Sequence, residues 1–285
     1  MLAAAGAAAA GTILLATWLG MPTSTTHALT GGLLGSAWFV AGSDLNLGSL
    51  LNGFLLPLLL SPIVAVLGAM VLYALLHAAR VRMGITHDSC LCVVRQPAYA
   101  VAGTGSRSCD SSSLSIESGK VSTCYHGRLA GLNVQSGVNG VHFLSAGAVC
   151  FSRALNDTPK IVALFLAGSA FTPAVGWFVA IVAMCSGGWL NARKVAETMS
   201  LRITDLNSGQ GLTANLVTSA LVFSASLFAL PVSTTHVSCG ALFGIGQVTG
   251  KRRWKTIGSI AGAWALTLPL AAALGAAFMP LLKGF

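Results

Sequence analysis

Charge is scarce in this sequence: only 8% of its 285 residues are charged, against about 25% in a typical soluble domain. Acids are scarcest, with 7 Asp and Glu against 16 Lys and Arg. So few charges cannot clothe a soluble surface. With 54% hydrophobic residues and a mean hydropathy of +0.78, the chain reads as a membrane protein. Other absences narrow the class further. Neither a GxSxG elbow nor an HExxH pair occurs, which argues against an intramembrane hydrolase, and the chain is not read as an enzyme. No aromatic-interleaved basic patch accompanies the net charge of +9, so its bases read as topology-setting loop residues and no nucleic-acid partner is expected. No basic stretch precedes the opening "MLAAAGAAAAGTILLATWLG", which therefore reads as a structural helix rather than a secretory signal.

Apolar length is abundant. A helix needs about 20 mostly apolar residues to cross a hydrocarbon core of roughly 30 Å. Stretches 1–19, 51–79, 171–190, 211–229 and 256–282 qualify. Shorter apolar pieces at 28–41, 139–152, 159–170 and 236–249 predict half-helices, re-entrant hairpins or spans broken by polar residues. The expected class is an all-α polytopic membrane protein with broken or re-entrant helices, embedded in the lipid bilayer of the plasma membrane.

One motif occurs twice. "MPTSTTHALTGGLLG" at 21–35 and "LPVSTTHVSCGALFG" at 230–244 share 8 of 15 positions without a gap, which marks an internal repeat. The loops that follow differ in charge. "GSDLNLGSL" carries one acid and no base, whereas "GKRRWK" carries Lys251, Arg252, Arg253 and Lys255. By the positive-inside rule the first loop is extracytoplasmic and the second cytoplasmic, so the copies enter the membrane from opposite sides. Arg80 and Arg82 place the polar interval after 79 in the cytoplasm, and Arg193, Lys194 and Arg202 do the same for the connection at 191–207. The expected organisation is therefore a partial first transmembrane repeat at 1–79, a cytoplasmic linker loop at 80–138 and a second repeat at 139–285. Inverted repeats of this kind build many secondary transporters, whose sites lie near the midplane between the halves.

The chemistry of the motif fits a small oxyanion. Ser or Thr at a helix start can cap the free N–H groups of the first turn, and the remaining amides and hydroxyls attract an anion, aided by the helix dipole. Ser24, Thr25, Thr26, Ser233, Thr234 and Thr235 are the candidate donors. The competing reading is that these hydroxyls bond the preceding turn or glue helices together. His27 and His236 are accessory candidates, each able to cap, to shuttle a proton or to satisfy a backbone carbonyl. A second feature is "FSRALNDTPKIVALFLAG" at 151–168. Asp157 is an acid between apolar pieces, a costly placement that marks function, and Pro159 argues against an uninterrupted helix through it. Asn156 offers amide donors and an acceptor, and Asp157 offers oxygens for Na⁺ or a proton. The structural alternative pairs Asp157 with Arg153 or Lys160.

"PTSTTH", "PVSTTH", "LNDTPKI" and "NARKVAETM" followed by "GLTANL" resemble the inorganic phosphate transporter (PiT, or PHO4-like) family, over nearly all of the chain except 86–138. The resemblance implies symport of inorganic phosphate with Na⁺ or H⁺ and no other cofactor. By position, Asn156, Ser233, Thr234, Thr235 and their first-repeat counterparts Ser24, Thr25 and Thr26 match its substrate-binding residues, and Asp157 matches its Asn-Asp signature. Asn215 stands where that family has Glu or Gln, which leaves the coupling ion open. In the second copy Asn156 precedes Pro231 by 75 residues, so the first-copy signature would fall upstream of Met1. The chain is accordingly expected to be N-terminally truncated or to obtain that piece from a partner; homo-oligomerisation is a separate open alternative. The alternatives are a transporter or channel for another oxyanion such as sulfate, or an inactive truncated homologue.

The cysteines suggest little chemistry. Cys90, Cys92, Cys109 and Cys124 with His87 and His126 lack standard zinc spacing, and a cytoplasmic location argues against disulfides.

Overall fold

A computed structural model of the chain describes residues 1–86, 89–96, 113–120, 128–168 and 172–282. They form two compact units, one of Met1–Ala74 with Ser145–Phe285 and one of Leu75–Leu144.

The first unit is helical. Its elements are α1 (Leu2–Trp18), α2 (Thr25–Ala41), a short α3 (Leu47–Leu50) leading through one π turn into α4 (Leu56–Arg82), α5 (Val134–Ala167), α6 (Pro173–Glu197), α7 (Ser208–Leu227), α8 (Thr234–Thr249) and α9 (Trp254–Leu282); α4 and α5 continue into the second unit. The helical stretches Leu51–Arg82, Pro173–Arg202 and Trp254–Leu282 are long and apolar enough to cross a membrane. At 17 residues, α1 reaches only about 26 Å at ~1.5 Å per residue. Serine, threonine, asparagine and glutamine dilute α7, so it falls short of a spanning helix in composition rather than length. Phe178, Trp189 and Leu190 of α6 are exposed, as expected of a surface that meets lipid rather than water.

The two motif copies are packed alike. Gly31 and Gly35 of α2 lie against the backbone carbonyls of Leu268 and Ala272 on α9, and Gly240 and Gly244 of α8 lie against those of Pro62 and Val66 on α4. Glycine is needed at these crossings because a Cβ would meet a carbonyl oxygen rather than a movable side chain. Between α2 and α9 the approach is mutual, since Gly275 faces the carbonyl of Gly32. Without a hydrophobic drive between helices in lipid, such close backbone contact supplies the van der Waals attraction that holds them. Around the second crossing, Ala69, Ala214, Val217, Ala241 and Ile245 form a buried cluster that joins α4, α7 and α8. Each copy thus packs on the long helix that follows the other copy.

Three expectations are corrected here. First, α5 runs unbroken from Val134 through Asp157 and Pro159 to Ala167. Proline removes one hydrogen bond and strains one carbonyl, and a helix held by its neighbours absorbs both. Second, the second unit contains a three-stranded antiparallel sheet where a loop without secondary structure was expected. Its strands are β1 (Ser89–Gln96), β2 (Ser113–Lys120) and β3 (Arg128–Asn133), in the order β2-β1-β3. "SCLCVVRQ" supplies the β-branched centre of the middle strand. Cys90 is buried and disulfide-bonded, against the expectation of free thiols. A sheet brings segments far apart in sequence side by side, which cysteine spacing does not disclose. Cys109, Cys124, His87 and His126 lie outside the described residues.

Candidate functional site

Both STTH copies begin helices. Ser24 is the N-cap of α2 and its hydroxyl accepts from the His27 amide at 3.1 Å; Ser233 is the N-cap of α8 and accepts from the His236 amide at 3.3 Å. The cap residues share an extended backbone, with φ and ψ of −94° and 118° in one and −99° and 115° in the other. Each serine satisfies one of the orphan donors and leaves the amides of the next two residues without an intrahelical acceptor. Replacing Ser24 or Ser233 by Ala is expected to cost about 1 kcal/mol of stability each, whereas Thr should retain the cap. Thermal unfolding in detergent measures both.

The copies meet on one backbone carbonyl. The Val232 oxygen, just before α8, accepts from Thr26 Oγ1 of the first copy at 3.3 Å, from Asn156 Nδ2 at 3.3 Å and from Lys160 Nζ at 3.2 Å. Asp157 lies beside it, 3% exposed. Its Oδ1 accepts from Asn156 Nδ2 at 2.9 Å, and its Oδ2 accepts from Thr234 Oγ1 at 3.4 Å. Two cations flank it at 3.6 Å, Lys160 Nζ near Oδ1 and Arg153 Nε near Oδ2, with side chains 24% and 49% exposed. One acid against two bases leaves one excess positive charge at the crossing. The arrangement combines helix N-termini, hydroxyls and a net cation around one buried point.

The histidines occupy the adjacent layer. Their rings meet edge-on at 4.7 Å, and His236 stacks on Trp264 at 3.9 Å. Pro62 has no N–H to give the Leu58 carbonyl one turn earlier. That oxygen accepts instead from Ser61 Oγ at 3.1 Å and faces His236 Nδ1 at 3.4 Å. A carbonyl only accepts, so this bond requires the Nδ1–H form of His236. Trp264 Nε1 in turn donates to the Pro22 carbonyl at 2.8 Å, tying α9 to the entry of α2.

The structure therefore brings Ser24, Thr26, Asn156, Asp157, Ser233, Thr234, His27 and His236 into one region. Thr25 is half-buried and Thr235 buried on the same first turns. Asn215 is elsewhere. Its Nδ2 donates to Ser145 Oγ at 3.0 Å, and Ser145 precedes Asp157 on α5 by three helical turns, about 18 Å of rise. Lys160 enters the site as more than a structural partner of Asp157, and the available signal was its own cost: a base in an apolar stretch is as expensive as an acid. The Val232 and Leu58 carbonyls carry no side-chain signal at all.

A buried polar crossing between repeated, apolar, glycine-packed helices marks the class of multi-pass integral membrane proteins. The model of the phosphate transporter family, PHO4, matches residues 1–275, and the chain belongs to that family. Human sodium-dependent phosphate transporter 2 is 32% identical over 157 residues, covering 50% of this chain and 24% of the relative. A Bacillus subtilis protein named "Probable low-affinity inorganic phosphate transporter" is 28% identical over 267 residues, covering 92% and 68%. The matched part spans about a quarter of the relatives that exceed 30% identity. Among solved structures, "The sodium-dependent phosphate transporter" superposes with a TM-score of 0.72 at 20% identity, covering 100% of this chain and 79% of that one, which establishes the shared fold.

Proposed function

We propose that this chain carries inorganic phosphate across the cell membrane by secondary active symport with Na⁺ or H⁺. The observation that supports this best is the meeting of the two capped helix starts on Asn156 and Asp157 through the Val232 carbonyl. Hydroxyls and N-terminal amides of α2 and α8 replace the hydration shell of the anion, and Asn156 orients it. They do so without a rigid Arg fork, which would slow release. Asp157 holds the coupling cation. A cation beside the anion offsets its charge and favours the occluded state, so the movement of each depends on the other. The two copies act as inverted halves that close over the site in turn.

The test is uptake of radiolabelled phosphate by proteoliposomes holding the full chain, under an imposed Na⁺ or proton gradient. Accumulation above the external concentration is expected, with little inhibition by equimolar sulfate. Phosphate movement only down its own gradient would replace the symporter with a channel. Sulfate competing on equal terms would broaden the substrate to tetrahedral oxyanions, and no phosphate movement under any gradient would overturn the reading.

A further inference from the structure

We propose that Lys160 is a built-in occupant of the cation position beside Asp157, so that this chain moves phosphate without Na⁺ at that position. The proposal rests on the phosphate-symport reading and narrows its coupling ion from Na⁺ or H⁺ to H⁺.

Three oxygens surround the Lys160 ammonium: Thr26 Oγ1 at 3.0 Å, the Val232 carbonyl at 3.2 Å and Asp157 Oδ1 at 3.6 Å. An ammonium is a compact point charge with three protons and no acceptor, and here two protein oxygens lie at hydrogen-bond distance while the carboxylate completes an ion pair. A hydroxyl, a carbonyl and a carboxylate are also the hard oxygen donors that a small alkali cation takes. The same cage therefore suits either Na⁺ or the lysine head, and the lysine head is in it. A free Na⁺ would have to displace a covalently tethered competitor that never diffuses away.

The cage is also shared between the repeats. Thr26 belongs to the first STTH copy and Val232 leads into the second. A cation held there joins the two halves, which is the mechanical task of a coupling ion in the occluded state. Lys160 performs it from α5 without leaving the protein. The other side of Asp157 is not open either, since Arg153 and Thr234 face Oδ2 at 3.6 and 3.4 Å. The chain thus differs from those relatives whose names call them sodium-dependent.

The experiment compares wild-type protein with Lys160→Ala and Lys160→Met in NaCl and in choline chloride, by phosphate uptake into proteoliposomes under the same imposed proton gradient and by Tm in detergent. Wild-type uptake and Tm should be the same in both salts. Lys160→Ala vacates the cage and should fall about tenfold in choline, the loss of a charge-assisted contact, then recover in NaCl with a Na⁺-selective rise in Tm. Lys160→Met fills the space without charge and should stay low in both. A Na⁺ dependence of the wild type that Lys160→Ala leaves unchanged would overturn the proposal. So would a Lys160→Ala protein equally low in both salts, the mark of a lysine that binds the anion. If Lys160→Ala does not insert, a Na⁺-selective rise in the wild-type Tm alone decides against it. Wild-type protein that moves no phosphate refutes the symport reading instead, and the Tm comparison still decides the occupancy of the cage.

Discussion

Asp157→Asn is expected to cut phosphate uptake by about a hundredfold or more, roughly 2.7 kcal/mol in the barrier, while the chain still inserts into the membrane. Both carboxylate oxygens are in use. Oδ1 accepts from Asn156 and faces Lys160, and Oδ2 accepts from Thr234 and faces Arg153. An amide can replace only one of these acceptors, because its other end is a donor. At the Oδ1 position an NH₂ group is set against the Asn156 amide and the Lys160 ammonium; at the Oδ2 position the Thr234 hydroxyl can turn to accept, but the Arg153 guanidinium still faces the group, so either orientation leaves a donor opposed to a cation at about 1–3 kcal/mol. Two bases then stand without an acid, so the crossing holds anions more strongly and lets them go more slowly. Binding of phosphate to detergent-solubilised Asp157→Asn should therefore persist while turnover is lost. Undiminished cation-driven uptake by this variant would remove Asp157 from the mechanism.

The second large effect is on assembly. Gly35→Ala puts its new Cβ onto the Ala272 backbone carbonyl, which cannot step aside as a side chain does. The α2 and α9 helices must separate, and because Gly31, Gly32 and Gly275 form the same crossing, the whole seam opens. Overpacking of this kind costs typically 1–3 kcal/mol and more where backbone is the obstacle. The expected result is a lowered Tm and loss of folded protein on extraction, with uptake lost in proportion. Gly6→Ala is the control: no heavy atom lies within 4 Å of a Cβ there, and Ala favours a helix over Gly by about 1 kcal/mol. Equal yields of the two variants would refute the role assigned to the α2–α9 seam.

The helix caps of the candidate site were legible in the sequence because their chemistry is local. A Ser followed by Thr-Thr-His caps a helix wherever that helix is placed, so Ser24 and Ser233 could be assigned from their own neighbours. Asn156 and Asp157 stood out because an acid is rare in so apolar a chain. Pro159 misled for the same local reason: proline was read as a break, and the packing of α5 against its neighbours kept the helix whole. The sheet of the second unit was missed because strand pairing is a long-range property, and a serine- and glycine-rich interval carries little of the alternation that reveals it. Asn215 was selected by position in a motif, yet on α7 it reaches Ser145, three turns from Asp157.

By itself the sequence determined the solvent, the duplicated helix starts and the family, since each is written in composition or in contiguous residues. Only the tertiary structure decided that the two starts share one carbonyl, that glycine rows on α2 and α8 seat the long helices α9 and α4, and that Lys160 fills the oxygen cage beside Asp157. Those are distances between residues such as Thr26 and Val232, 206 positions apart. Burial in a low-dielectric interior makes such pairings strong, but nothing in the spacing of the chain says which oxygen a given ammonium will find.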